Sequence, residues 1–239
     1  MADRDSALRV LTALRKSPVG DAAVLVGSSG LFGFLTEVPA LTEDVDIAVP
    51  ETAVARHGPA IVEALREQGF EHETGTATFI GAEGSIFDLL GHGDPEQGDH
   101  IGGSEALRVM VFEDLSRVLS DPAATAVLPA GGRALTPAAF VVSKLLTERA
   151  HKGTKDKIQA LLVLAEREDE NFAQEVVRLF RDFSPVRLDD VRASAQNAYF
   201  LLERDPAFSD AGAEGYAPVA RKVEIGLERL LSILEKLNG

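Results

Sequence analysis

At Pro137 the apolar residues of this chain change their spacing, and that change limits how it can fold. After Pro137 they recur only at helical intervals. Before it, short β-branched runs broken by glycine alternate with stretches of helical period. Ala7, Leu8, Val10, Leu11 and Leu14 put one apolar face on a helix over residues 6–16, with Asp5 or Ser6 as its cap. Strands are expected over 22–26, 45–49, 70–73, 78–80, 85–90 and 107–112, the three middle ones as an antiparallel meander set off by Gly75, Gly81 and Gly84. Helices are expected over 28–35 and 52–68, the second started or interrupted by Pro59, and a hairpin over 126–135. Thr136 and Pro137 then open five helices, over 137–150, 155–168, 170–182, 187–204 and 214–238. The expected class is α+β: a small mixed sheet of five or six strands flanked by helices over residues 1–136, followed by an all-α helical bundle over 137–239.

Three carboxylates stand out against this pattern. Asp44 and Asp46 are two apart on one strand, so they share a face about 6 to 7 Å apart along it. Asp88 interrupts the apolar run Ile86-Phe87-Asp88-Leu89-Leu90, where an unpartnered carboxylate is costly. A divalent cation shared by the three would offset that cost, and oxygen ligands without His or Cys favour magnesium or manganese. Upstream, Val26-Gly27-Ser28-Ser29-Gly30 reads as a strand entering a tight turn and then a helix, an arrangement that presents backbone N–H groups to a phosphate. The stretch between Gly91 and Gly103, rich in Gly, Asp and His, is expected to be a surface loop and a candidate lid. The stripe Val223, Ile225, Leu227, Leu230, Leu231, Ile233, Leu234 and Leu237 is expected to form bundle core or the seam of a homodimer.

Composition narrows the chemistry. With no cysteine, disulfides, thiolate zinc sites and cysteine nucleophiles are excluded. No stretch reaches the roughly 20 apolar residues of a membrane span, and the first residues lack a signal-peptide core, so a cytoplasmic protein is expected. The formal net charge is −14, and residues 1–120 carry 20 acidic against 8 basic side chains. Such a surface disfavours a broad footprint on nucleic acid, which is normally gripped by neutralising phosphates. The nucleophile-elbow, Walker and dinucleotide-binding patterns are all absent.

The Gly27-Ser28 turn, the Asp44-x-Asp46 pair and Asp88 within Phe-Asp-Leu-Leu resemble the DNA polymerase beta-like nucleotidyltransferase superfamily. Leu135-Thr136-Pro137-Ala138-Ala139-Phe140, through Lys144-Leu145 to Lys155-Asp156, further resembles its subgroup of abortive-infection toxins and their housekeeping relatives. The resemblance covers roughly residues 22–165. It implies a two-metal site with Mg2+ or Mn2+ on Asp44, Asp46 and Asp88, and nucleotide binding by Gly27, Ser28, Ser29 and Lys144. It also implies transfer of NMP from an NTP to an acceptor hydroxyl, and the acidity of residues 1–120 favours a small molecule or protein over a long nucleic acid as that acceptor. Membership of a toxin–antitoxin pair follows from the subgroup alone. One departure matters: no Lys or Arg lies between Ser28 and Asp44. Either Lys144, Arg149, Lys152, Lys155 and Lys157 supply the missing charge, or the chain is an inactive nucleotide-binding or scaffold protein on the same fold.

Overall fold

In the computed structural model, which describes residues 4–33, 44–81, 84–148, 153–202 and 212–238, the expected α+β class is the one found: a mixed sheet with its helices, then a helical region. Two units, Met1–Thr136 and Pro137–Gly239, each have their own packing.

The first unit runs α1 (Arg4–Arg15), β1 (Val24–Val26), β2 (Asp44–Pro50), α2 (Glu51–Arg66), β3 (Phe70–His72), β4 (Thr78–Gly81), β5 (Ile86–His92), β6 (His100–Gly103), β7 (Arg108–Val111), α3 (Glu113–Leu119), β8 (Thr125–Val127) and β9 (Arg133–Leu135). Nine strands, rather than five or six, form one sheet among the described residues, in the order β3-β4-β5-β2-β1-β9-β8, with β7 also on β5 and β6 on β7. Pairs β1–β9, β2–β5 and β5–β7 are parallel, and the other pairs antiparallel.

Strict alternation gives this sheet two unlike faces. Val45, Ile47, Val49, Phe79, Phe87, Leu89, Val109 and Val111 point into one core, shared with Leu11 and Leu14 of α1 and Ile61 and Leu65 of α2. Phe79 and Phe87 are register partners and stack with ring centroids 4.8 Å apart, while Phe70 meets Phe87 edge-on at 5.0 Å. Such ring pairs add about 0.5–1.5 kcal/mol each beyond their buried area, and they fix how β4 lies against β5. The opposite face carries the residues between them, Asp46 and Asp88 included.

Four local expectations change. Pro59 neither starts nor breaks α2: it sits inside the helix, and the carbonyl it frees belongs to exposed Ala55, where solvent can satisfy it. Residues 28–33 form a six-residue 3-10 turn instead of the opening of an α-helix, because Ser-Ser-Gly-Leu-Phe-Gly holds two glycines and few helix formers; residues 34–35 lie outside the described set. The Gly91–Gly103 stretch is not a loose lid. Asp94 Oδ1 caps a short turn through Glu96 N at 3.0 Å, Asp99 Oδ1 accepts from Glu113 N at the start of α3 at 2.8 Å, and His100 pairs with Glu51 at 3.2 Å. Asp94, Asp99 and His100 are thus occupied as caps and ties. Helix α3, only seven residues long, has no counterpart among the expected elements.

The second unit contains α4 (Pro137–Leu146), α5 (Gly153–Glu166), α6 (Glu170–Phe180), α7 (Pro185–Leu201) and α8 (Gly212–Asn238). Asp169 Oδ1 caps α6 through Phe172 N at 2.8 Å, and Ser184 Oγ caps α7 through Arg187 N at 3.2 Å. Helix α5 is buried without interruption from Asp156 to Leu164, as a central helix must be. Val223, Leu227, Leu230, Ile233 and Leu234 of α8 enter the core of this same unit. No helix among the described residues is long and apolar enough to cross a membrane.

Cations close the C-terminal ends of two of these helices, where carbonyls lack partners. Lys157 Nζ donates to Lys144 O at 3.1 Å and to Thr147 O, and Arg187 Nη2 donates to Leu146 O at 2.7 Å, both at the end of α4. Arg229 Nη1 donates to Leu164 O and Ala165 O at 2.8 and 2.9 Å, at the end of α5. Burial pushes the Lys157 ammonium down to about 8 from its ordinary 10.5; Asp156 and Glu148 oppose the shift, while Arg187 and Lys144 reinforce it. Below the folded value both states carry the proton and the fold bears a buried charge. Between the two values the folded state has shed its proton and the unfolded state has not, so stability rises with pH by up to about 3 kcal/mol. The stability difference between wild type and Lys157→Met, from urea unfolding at about pH 7.5 and about pH 9.5, should shift in favour of wild type at the higher pH. An unchanged difference would show that the charge is not buried.

Candidate active site

Strand register brings the predicted acids together. In the parallel ladder β2–β5, Asp46 stands directly opposite Asp88, and Asp44 opposite Ile86. Neighbouring strands lie about 4.8 Å apart, so two carboxylates share one face at close range. Both are half-buried. The Asp44 side chain, like that of Ser29, is outside the described set. On the far side of β5, Thr78 is the register partner of Asp88 and donates its hydroxyl to Asp88 Oδ1 at 2.6 Å. The amino-acid sequence alone does not single out Thr78, since nothing local marks a residue ten positions away as a cross-strand neighbour.

On the other side, Val26 of β1 is opposite Asp46, so the turn beginning at Gly27 rises beside that carboxylate. Gly27 has φ +61°, and a Cβ there would overlap Asp46 Oδ2. Both the backbone conformation and the space demand glycine. Ser28 is buried, 5% exposed, at the start of the 3-10 turn. A turn this short has little dipole of its own, so any anion held here would be met by backbone N–H groups rather than by a helix end.

The donor set suits a hard divalent cation. Two carboxylates facing each other on adjacent strands repel, and an oxygen-liganded cation between them would relieve this. No group of three His, Asp or Glu side chains that could hold a metal is gathered among the described residues, and the side chain of Asp44, the third acid of the expected set, lies outside them.

The lysines lie in the helical unit. Lys144 Nζ is ion-paired with Asp156, and Lys157 is 3% exposed and committed to carbonyls of α4, which leaves it no free charge for a phosphate. Lys155 is half-exposed, and Arg149 and Lys152 lie outside the described residues.

No protein-family model matches this chain, and no curated protein matches it. Among solved structures, it is similar to the Bradyrhizobium diazoefficiens CD-NTase CdnG in complex with GTP, at 12% identity over 99% of this chain and 90% of that one, with a TM-score of 0.28. A likeness that loose adds no weight to the reading of the site.

Proposed function

We propose that the chain is a metal-dependent nucleotidyltransferase that moves NMP from an NTP to an acceptor hydroxyl. The observation that carries this reading is the register pair Asp46–Asp88, set beside the Gly27-Ser28 turn on the face of the sheet opposite the α1–α2 core. Asp46, Asp88 and Asp44 would hold Mg2+ or Mn2+, which supplies positive charge to the phosphate oxygens and lowers the pKa of the attacking hydroxyl. The chain's own part is placement. Gly27 leaves room for the Asp46 carboxylate, the turn offers backbone donors to phosphate, and the Thr78 hydroxyl orients Asp88 on the side away from the turn. Phosphates therefore belong on the β1 side of the acid pair and the acceptor on the Asp88 side. The acidity of residues 1–120 favours a small molecule or protein as acceptor over a long nucleic acid.

A second reading, an inactive nucleotide-binding protein on the same fold, is favoured by the lack of any Lys or Arg between Ser28 and Asp44. Incubation with α-labelled NTPs, magnesium and cell extract separates the two. Transfer predicts a labelled acceptor that disappears on chelation and in Asp46→Ala; metal-dependent NTP binding with no labelled product supports the second reading. If the protein binds no NTP with or without metal, both are wrong.

A further inference from the structure

The face of the sheet that bears Asp88 continues past it onto β7, where it becomes exposed. The far edge of β5 is shared: its first half takes β4, and its last residues take β7, with Leu90 opposite Met110. Since β7 runs parallel to β5, stepping back from Met110 to Arg108 moves about 7 Å in the direction that leads from Leu90 to Asp88. Burial alternates cleanly along β7. Val109 and Val111 enter the core, while Arg108 and Met110 are exposed on the face that bears Asp46 and Asp88.

Among the described strands within residues 1–120, Arg108 is the only Lys or Arg. Several other bases of this unit have partners: Arg15 pairs with Asp21, Arg117 with Glu113 and Glu96, and Arg133 with Thr125. Among the described residues no carboxylate pairs with Arg108, and Asp88, on the same face, takes its hydrogen bond from the neutral Thr78 instead. Beside Arg108 runs an apolar row in register, Leu90, Met110 and Ile101, with Met110 40% and Ile101 67% exposed. In a unit this acidic, an exposed cation next to an apolar row complements a ligand that is itself anionic and partly apolar.

We propose that Arg108 binds an anionic group on the acceptor, which is a hydroxyl compound with a carboxylate or phosphate at one end and an apolar body resting on Leu90, Met110 and Ile101. This rests on the transferase reading, which puts the acceptor on the Asp88 side and the nucleotide phosphates on the Gly27 side. Arg108 should then matter to acceptor affinity and not to NTP affinity.

The test uses the full chain with labelled NTP, magnesium and cell extract passed over an anion-exchange resin to give retained and unretained pools. Acceptor activity is expected in the retained pool. Arg108→Gln should raise the amount of that pool needed for half-maximal rate about tenfold, a loss typical of one charge-assisted contact, with the NTP Kd unchanged. Arg108→Lys, which keeps the charge, should recover most of the loss. Acceptor activity in the unretained pool, an Arg108→Gln dependence equal to wild type, or a weakened NTP Kd in that variant would each overturn the assignment. Failure of wild type to label either pool would count instead against the transferase reading itself, and the acceptor assignment would fall with it.

Discussion

Asp88→Asn should abolish nucleotidyl transfer and, in the same protein, raise the stability of the ligand-free fold. Asp46 and Asp88 face each other across the parallel ladder, half-buried, with the neutral Thr78 hydroxyl as the donor on Asp88. Like charges directly opposite on neighbouring strands cost roughly 0.2–1 kcal/mol, and partial burial moves the cost toward the upper end. Asparagine keeps the shape and can still accept the Thr78 hydrogen bond, so the substitution removes repulsion without opening a cavity. The expected gain corresponds to a melting temperature a few degrees higher, about 2–4 °C for a chain of this size. Activity should move the other way, because a bound cation supplies several kcal/mol of charge stabilisation and its loss costs about a thousandfold in rate or more. Magnesium with NTP should stabilise wild type and leave Asp88→Asn unmoved. A variant less stable than wild type in the absence of metal would mean that the acid pair is held by the fold for packing rather than for a ligand.

The sheet's two faces are legible in the amino-acid sequence, because Val45, Ile47 and Val49 alternate with Asp46, and Phe87 and Leu89 with Asp88; period two needs no tertiary knowledge. The partnership of Asp46 with Asp88 is not. Their strands are parallel neighbours separated in sequence by α2, β3 and β4, and register between such strands is set by the core beneath them, where Val45 stands opposite Phe87 and Ile47 opposite Leu89. The same limit hides β6, whose residues His-Ile-Gly-Gly have little strand preference and are extended because β7 pairs with them. Arg108 lies in plain view within an expected strand, but only the pairing of Met110 with Leu90 reveals which carboxylate shares its face. Helix boundaries in the second unit are easier, since Pro137, Asp169 and Ser184 act locally at the helix starts.

Gly226→Ala should destabilise the helical unit strongly, against what helix propensity alone would give. In an unconstrained helix interior the change would stabilise by up to about 1 kcal/mol. Here Gly226 is buried where α8 crosses α5, and a Cβ would overlap the carbonyl of Leu161. The obstacle is backbone, so no rotamer change can relieve it and the helices must separate. Separation has a second cost. Arg229, one turn along the same face of α8, reaches the carbonyls of Leu164 and Ala165, and its hydrogen bonds close the end of α5. Overpacking alone costs about 1–3 kcal/mol, and losing the Arg229 contacts brings the expected total to about 2–4 kcal/mol, read as a lower urea midpoint in far-ultraviolet circular dichroism of the full chain. Ser232→Ala, on the exposed side of the same helix, should stay within about 0.5 kcal/mol of wild type. The decisive measurement is the double variant. If the alanine methyl acts by lifting α8 off α5, Arg229→Ala should cost clearly less in the Gly226→Ala background than in wild type, because its partners are already out of reach. Full additivity would mean that the two residues act on α5 independently, and a neutral Gly226→Ala would show that the helices do not meet at this point.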